Sequence, residues 1–299
     1  MHNPGIDKII LGTAGLGGVW GAVEPEESIQ AIHEALSYGI CALDTAAAYG
    51  DAEYFVGQAL LQWNGTKPAI STKVGRLKSY VATEARYDYS TAGMQRSVEE
   101  SLKTLGLAQV DVLFLHEPAV LTADIVGRVV SDMQCFKEQG LAKKIGIGGN
   151  PPSWFMPYLI EGQFDVLMEY NTLNACNIAA LHSSIPICEQ KGMEYYAASP
   201  LNMGLLGRKF QDFSLLVPDW LDVLTVEQAK RIQSIAERYN LSLDVLALQF
   251  LLNIDAPFKM VIGAANQREL HRSLNAINQG ILPKDIYNEI LQTLMIIDE

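Results

Sequence analysis

Short apolar runs alternate with helix-like segments along almost the whole chain. Runs such as Val110–Leu115 are apolar on both faces, which is typical of strands buried in a parallel sheet. The predicted strands are Ile9–Gly12, Ile40–Leu43, Ala69–Lys73, Val110–His116, Lys144–Gly148, Phe164–Tyr170, Glu194–Ala198 and Lys259–Ile262. The predicted helices, several of them closed by a glycine, are Pro25–Tyr38, Ala52–Trp63, Thr91–Leu105, Thr122–Gln139, Pro152–Glu161, Asn177–Lys191, Val226–Tyr239, Leu243–Leu252, Gln267–Ile277 and Pro283–Ile297.

The order of these segments predicts the fold. Alternating strands and helices indicate a parallel sheet. Eight such units in a chain of 299 residues predict an α/β protein built as a (β/α)8 TIM barrel. One extra helix precedes the eighth strand and another follows near the C-terminus. Because no linker, repeat or low-complexity tract interrupts the pattern, we expect residues 1–299 to form a single domain.

Charge and composition argue against several classes of partner. The formal net charge is -12 and the pI is about 4.9, whereas nucleic acids and anionic membranes attract basic surfaces. The N-terminus does not read as a signal peptide, and no apolar stretch approaches the roughly eighteen residues of a membrane span. The cysteines show no C-x-x-C spacing, and no cluster of metal-ligand spacing is found. We therefore expect a cytoplasmic protein without nucleic-acid, membrane or metal partners.

Four polar residues mark the ends of predicted strands. They are Asp44, Tyr49, Lys73 and His116. In a parallel barrel the carboxyl ends of the strands gather on one face, where active sites lie, so we expect these side chains to converge. An ammonium beside a phenol lowers its pKa, a carboxylate holds the ammonium, and an imidazole orients a carbonyl or hydroxyl. Each residue could instead have an ordinary structural role; Asp44, for example, could cap the next helix.

Several segments resemble the aldo-keto reductase superfamily. Residues 42–50, Ala-Leu-Asp-Thr-Ala-Ala-Ala-Tyr-Gly, resemble its F-D-T-A-x-x-Y-G signature. Residues 70–75 look like its lysine strand, 96–106 and 110–116 like its next helix and histidine strand, and 144–150 stand where the family has I-G-x-S-N. The resemblance implies metal-free, NAD(P)-dependent interconversion of a carbonyl and an alcohol. It further implies that Tyr49 is the general acid or base and that Lys73 lowers its pKa. In the same scheme Asp44 pairs with the lysine, and His116 positions the substrate oxygen.

Two segments are similar to one branch of this family. Residues 196–207 resemble the A-S-P-L-x-M-G-L-L segment of L-galactose dehydrogenases, and 75–77 with 87–90 resemble motifs of aldose 1-dehydrogenases. This similarity implies oxidation of a free aldose at C1 to a lactone. The alternatives are an NADP-dependent aldehyde or ketone reductase and, in another class, a cofactor-binding regulatory subunit without significant turnover. Family members usually carry an N-terminal hairpin under the barrel, which we expect to be short or absent here.

The resemblance also implies a cofactor site. Its candidate residues are Gly12, Thr13, Asn150, Ser199, Leu201, Met203, Gly263, Asn266, Arg268 and Asn275. The family's stacking tyrosine is replaced by Ala198, and its carboxamide-binding glutamine by Leu167. No lysine or arginine follows Gly263 closely, and a 2′-phosphate needs a charge-assisted partner. We therefore expect NAD, with NADP as the alternative.

Substrate contacts are expected from the loops on the same face. Trp20 and Tyr87 are candidate walls of the pocket, together with Tyr80 and Phe210. Arg76 is a candidate donor to sugar hydroxyls, and Asp88 a candidate acceptor. The alternative is that Arg76 and Asp88 pair with each other on a solvated loop, where such a pair contributes little. The sequence carries no signal for an oligomeric state or for one particular substrate.

Overall fold

The predicted barrel is confirmed by the structure, a computed structural model that describes residues 5–295. Eight parallel strands close in sequence order, and the last strand pairs with the first. The strands are β1 Ile9–Gly12, β2 Ala42–Asp44, β3 Ala69–Val74, β4 Val110–His116, β5 Ala142–Gly148, β6 Val166–Tyr170, β7 Glu194–Ala198 and β8 Lys259–Gly263. Closure leaves no unpaired sheet edge, so the backbone of every strand is hydrogen-bonded on both sides.

Eleven α-helices in the described chain surround or extend the barrel. They are α1 Pro25–Tyr38, α2 Ala52–Gln62, α3 Thr91–Leu105, α4 Val126–Glu138, α5 Met156–Ile160, α6 Ser184–Lys191, α7 Phe210–Leu215, α8 Val223–Arg238, α9 Leu243–Asn253, α10 Gln267–Asn278 and α11 Lys284–Met295. No helix within residues 5–295 is long and apolar enough to cross a membrane.

The apolar side chains form two layers because side chains alternate across each strand. On β4, Val112 and Phe114 face the barrel interior, while Leu113 and Leu115 pack outward against the helices. The interior cluster consists of Ile10, Val112, Phe114, Val166, Met168, Tyr196 and Val261. The same alternation on β3 sends Thr72 outward, where its hydroxyl donates to Glu53 at 2.5 Å. It sends Lys73 inward, with its ammonium 5.9 Å from the centre of the Phe114 ring.

Most differences from the predicted elements lie in the connections. The predicted loop after β7 contains α7, a six-residue helix with no buried residue, so it has no apolar stripe by which sequence could reveal it. The helix predicted over 177–191 is a 3-10 turn, Ala179–Leu181, followed by the shorter α6. The helix predicted over 283–297 corresponds to α11, and the last two residues of that prediction lie outside the described residues.

A short turn precedes the first strand, where the family's hairpin was expected to be short or absent. A 3-10 turn, Ile6–Lys8, leads directly into β1, and no hairpin strand occurs in residues 5–8. Residues 1–4 lie outside the described range. That the chain is a single domain stays a prediction.

Candidate active site

The structure brings the four strand-end residues together at one mouth of the barrel. Asp44 is the last residue of β2, Lys73 is the last but one of β3, and His116 ends β4. Tyr49 lies five residues beyond Asp44, in the turn that precedes α2, and its N–H donates to Ala46. The register between the strands fixes these positions, because Asp44 stands opposite Ser71 and Lys73 opposite Phe114.

A buried ion pair forms the centre of the site. The Lys73 ammonium lies 2.5 Å from Oδ2 of Asp44, and the two side chains are only 2% and 3% exposed. The same ammonium donates to the Thr45 carbonyl at 2.8 Å, while Oδ1 of Asp44 accepts from the Ser71 hydroxyl at 2.7 Å. Buried charges are stable only when they are paired and hydrogen-bonded, and these contacts meet that requirement. Asp44 therefore anchors the lysine and does not cap α2, whose first turn is preceded by Asp51.

Tyr49 lies directly beside this pair. The Lys73 ammonium is 4.7 Å from the centre of the phenol ring, and the ring meets that of His116 edge-on, with centroids 5.7 Å apart. Burial raises the pKa of Tyr49 above its ordinary value, and the lysine opposes that rise without cancelling it. Sequence reasoning predicted the lysine effect but not the larger effect of burial. The phenol is therefore protonated at neutral pH.

His116 is held in its neutral form. It is 4% exposed, and burial, with Lys73 and Arg76 nearby, lowers its pKa well below the ordinary value. Its Nδ1 is buried and has no hydrogen-bond partner among the described residues. A neutral imidazole can donate from one nitrogen and accept at the other, so it can orient an oxygen without competing for the proton.

The rim next to His116 carries a charged pair that the sequence did not predict. Nη1 of Arg76 lies 3.9 Å from Oε1 of Glu117, and Nη2 of Arg76 donates to the Ala82 carbonyl at 2.6 Å. Asp88 instead accepts from Ser90 and lies 3.7 Å from Arg96, so the Arg76–Asp88 pairing considered above is wrong. Glu117 directly follows His116 at the end of a predicted strand. That position alone could have marked it in the sequence as a residue at the mouth of the barrel.

The aromatic candidates differ in their contacts and exposure. Tyr87 stacks on Tyr89 with ring centroids 5.7 Å apart, and the Tyr89 hydroxyl donates to the His116 carbonyl at 2.6 Å. Trp20 is 49% exposed in the loop after β1. The Tyr80 hydroxyl donates to Asp51 at the edge of the mouth. Phe210 begins α7 and so is not in a loop, a correction to the sequence reading.

The residues expected to bind the cofactor fall into two groups. The first group lies at the ends of strands. Gly12 stands opposite Gly263 across β1 and β8, and a Cβ placed on Gly263 would meet open space. Thr13 is fully buried, and both its N–H and its hydroxyl donate to the Asp44 carbonyl. Asn150 exchanges two hydrogen bonds with the backbone of Tyr170, at 3.1 and 3.0 Å, so its amide holds the end of β6 in place.

The loop after β7 is strained where the next candidates lie. Ser199, Asn202 and Met203 all have positive φ, which residues with a Cβ rarely adopt. The Ser199 hydroxyl lies 3.3 Å from the Met203 sulfur, and Leu201 is partly buried below them. Such strain persists only where the surrounding structure fixes the backbone, and it concentrates at binding sites.

The second group surrounds the start of α10. The Asn266 side chain accepts from the N–H of Glu269, and the Glu269 carboxylate accepts from the N–H of Ala265. This reciprocal cap holds the Glu269 carboxylate at the N-terminus of α10, where Arg208 pairs with it at 3.3 Å. Arg268 and Asn275 are exposed on the same helix, and Arg272 is paired with Asp244.

These surroundings fit a nicotinamide dinucleotide. Besides the open space at Gly263, Oδ1 of Asn171 and Oδ1 of Asn202 are buried without a hydrogen-bond partner among residues 5–295. Unpaired buried acceptors are costly unless a ligand satisfies them. They lie just beyond β6 and β7, where a carboxamide N–H could do so. Sequence reasoning missed both asparagines. Leu167, which stands where the family has its carboxamide-binding glutamine, packs in the outer apolar layer.

The ion pair yields a stability prediction. Asp44→Asn or Lys73→Met alone should lower the free energy of unfolding by about 3–5 kcal/mol, because each leaves an uncompensated buried group. The double variant should lose clearly less than the sum of the two. Chemical denaturation of the four proteins measures this coupling. Additive losses would contradict the view that the two side chains act as a buried pair.

Comparison with known protein families gives a match over nearly the whole chain. A family model described as the Aldo/keto reductase family matches residues 8–294. Among curated proteins, L-galactose dehydrogenase from Arabidopsis thaliana is 31% identical over 210 residues, which cover 67% of this chain and 63% of that relative's length. D-threo-aldose 1-dehydrogenase from a Pseudomonas species is 25% identical over 322 aligned positions, covering 97% and 95%. The NADH-specific methylglyoxal reductase of Escherichia coli (strain K12) is 25% identical, covering 94% and 92%.

Solved structures share the architecture. An aldo-keto reductase from Bacillus halodurans in its holo form superposes with a TM-score of 0.76 at 21% identity, covering 96% of this chain and 91% of that one. The glycerol dehydrogenase from Gluconobacter oxydans has the same TM-score and identity and covers 98% and 94%. At this identity the likeness establishes the fold alone.

Proposed function

Because the chain belongs to the aldo/keto reductase family, whose members are nicotinamide-dependent oxidoreductases, we propose that it oxidises a free aldose at C1 to a lactone. The observation that carries the proposal is the buried Asp44–Lys73 pair, 2.5 Å apart, beside Tyr49 and His116. Two relatives bear the names of sugar dehydrogenases, which supports the substrate class. The charged rim formed by Arg76 and Glu117 offers further support, because sugar hydroxyls are recognised by polar groups.

In the proposed mechanism this chain handles the proton. When bound, the nicotinamide supplies hydride chemistry. Tyr49 takes the proton of the anomeric hydroxyl during oxidation and returns it to the carbonyl oxygen during reduction. Lys73 favours the phenolate that oxidation requires, and Asp44 keeps the ammonium charged and in place. Neutral His116 orients the reacting oxygen next to the phenol.

A general aldehyde or ketone reductase is the second candidate. One observation favours it: the pKa of Tyr49 is raised, so its protonated form, the donor needed for reduction, prevails at neutral pH. A relative named methylglyoxal reductase supports the same reading. A regulatory subunit without turnover has no such support, because the four side chains are assembled and the relatives are named as enzymes.

The proposed cofactor is NAD. Ala264, Ala265 and Asn266 follow Gly263, so the turn itself offers no cation to a 2′-phosphate. The Glu269 carboxylate lies against the N–H of Ala265 and pairs with Arg208 at 3.3 Å, so that guanidinium is already engaged and is not free for a 2′-phosphate. A relative whose name specifies NADH agrees with this preference.

Tyr49→Phe should lower kcat by about 10²–10⁴-fold, because general acid–base catalysis contributes that much and only the hydroxyl is removed. The affinity for NADH, measured by tryptophan fluorescence, should stay close to that of the wild type. Near wild-type kcat in this variant would contradict the role assigned to the phenol.

Lys73→Met should move the pH profile of oxidation. Oxidation needs the phenolate of Tyr49, so its rate should rise with pH through the neutral and alkaline range, because the pKa of that phenol is raised. Removing the ammonium removes the main influence that lowers this pKa, so the rise should shift to still higher pH. Reduction uses the protonated phenol and should stay flat near neutrality. An unchanged oxidation profile would argue against the lysine's role.

NADH should bind at least as tightly as NADPH in fluorescence titrations of the wild type. Ala265→Arg should then improve NADPH binding by about tenfold or more, because a charge-assisted contact contributes about 1.5–3 kcal/mol. Ala265→Gln is the matched control, of similar length but without charge. A clear wild-type preference for NADPH would overturn the NAD assignment and direct attention to Arg268 and Arg272.

The substrate class is tested by kcat/KM with NAD and a panel of free aldoses, set against nitrobenzaldehyde-type substrates with NADH. We expect the aldoses to be preferred, and Arg76→Ala to weaken the aldoses selectively. If kcat/KM is much higher for the aromatic aldehydes than for the aldoses, and Arg76→Ala changes neither value, the general reductase is the better description.

A further inference from the structure

Glu117 stands next to the catalytic candidates but has no part in the proton chemistry above. Its backbone is left-handed, with φ 56° and ψ 64°, which is unfavourable for a residue with a Cβ. The turn is held from both sides, because the Glu117 N–H donates to the Gly148 carbonyl at 2.8 Å and its carbonyl accepts from the Tyr89 hydroxyl at 3.1 Å. A strained residue fixed this firmly at the mouth of a barrel is a candidate for a ligand contact.

The neighbouring strand makes room for this side chain. A Cβ placed at Gly149 would lie 3.3 Å from Oε2 of Glu117 and 3.0 Å from Cδ of Pro118. When Ile145-Gly146 is aligned with the I-G of the resembling I-G-x-S-N motif, Gly149 stands where that motif has its asparagine. The absence of a side chain at Gly149 lets the Glu117 carboxylate lie over the end of β5. The glycine and the glutamate therefore form one local arrangement.

The carboxylate has unused capacity to accept hydrogen bonds. It is 23% exposed, and its nearest cation, Nη1 of Arg76, is 3.9 Å away, which is too far for a hydrogen bond. No described residue donates a hydrogen bond to either carboxylate oxygen. Burial raises the pKa of Glu117, while Arg76 and Lys73 counteract that rise. A largely buried carboxylate without donors gains free energy from any ligand that supplies them.

Aromatic rings stand around the same space. Tyr87 stacks on Tyr89 behind it, and Tyr170, at the end of β6, is 39% exposed. Burial raises the pKa of both Tyr87 and Tyr170, and the Glu117 charge adds to that rise, so both phenols lie within its electrostatic reach. Aromatic rings can pack against the C–H groups of a ligand while the nearby carboxylate accepts hydrogen bonds from its hydroxyl groups. The surroundings therefore suit a ligand that carries both kinds of group.

We infer that the Glu117 carboxylate accepts hydrogen bonds from the hydroxyl groups of a neutral, hydroxyl-rich substrate and thereby sets the preference of the site for such substrates. Arg76 balances the negative charge, so the pair favours a neutral ligand over a cation. This inference deepens the proposed function and rests on its site, although it applies to any hydroxylated carbonyl compound and not to aldoses alone.

The experiment compares two aldehydes that differ in their hydroxyl groups. Glyceraldehyde and propanal are reduced with NADH at neutral pH by the wild type, by Glu117→Gln and by the control Glu99→Gln, which alters an exposed glutamate on α3. The ratio of kcat/KM for glyceraldehyde to that for propanal should fall by about tenfold in Glu117→Gln, mainly through KM, because a charge-assisted bond is lost. Propanal should stay within about twofold, since its binding makes no use of the carboxylate.

Glu117→Asn keeps the test decisive if the first variant folds poorly, because asparagine tolerates left-handed backbone and its shorter amide cannot reach the same position. An unchanged ratio, or an equal loss for both aldehydes, would overturn the inference. The two hypotheses fail separately: a wild type that does not oxidise aldoses contradicts the proposed function, while the aldehyde ratio still decides the role of Glu117.

Discussion

The site depends on one buried ammonium. Lys73 is almost inaccessible to water, and its charge is tolerated because Asp44 and the Thr45 carbonyl hold it. That charge acts in two directions at once. It lowers the pKa of Tyr49 against the effect of burial, and it helps to keep His116 neutral. A mouth without this cation would hold an inert phenol and an imidazole that could take up protons more readily.

Burial and charge compete at Tyr49, and the balance determines what the site can do. Low polarity strengthens the electrostatic effect of the lysine, but it also penalises the phenolate that the lysine stabilises. Burial has the larger effect on the pKa of Tyr49, so the phenol is protonated at neutral pH. In the proposed mechanism it would donate a proton there and accept one only as the pH rises. In the proposed mechanism the same residues would thus serve both directions of a reversible reaction, and the supply of substrate and cofactor would decide which direction prevails.

Sequence reasoning predicted most of the barrel and the four side chains that meet at its mouth for a simple reason. Strands buried on both faces leave unbroken apolar runs, and a polar residue at the end of such a run is conspicuous, as Asp44 and His116 are. Connections leave weaker traces. Helix α7 buries no side chain and so has no apolar period. Asn171 and Asn202 resemble ordinary turn residues in sequence, and only the structure reveals that their carbonyl oxygens are buried without partners.

The hidden features share a physical origin, which is backbone strain in loops supported by a rigid barrel. Glu117 at the end of β4 and Ser199, Asn202 and Met203 after β7 all adopt left-handed conformations. No local propensity predicts such conformations for a glutamate, a serine or a methionine, since tertiary contacts impose them. The closed sheet can bear this cost because its own hydrogen bonds are complete. The strand ends therefore hold the candidate catalytic residues, whose polar side chains are visible in the sequence pattern. The strained loops hold conformations that the pattern does not reveal, so the sequence informs least about the choice of substrate.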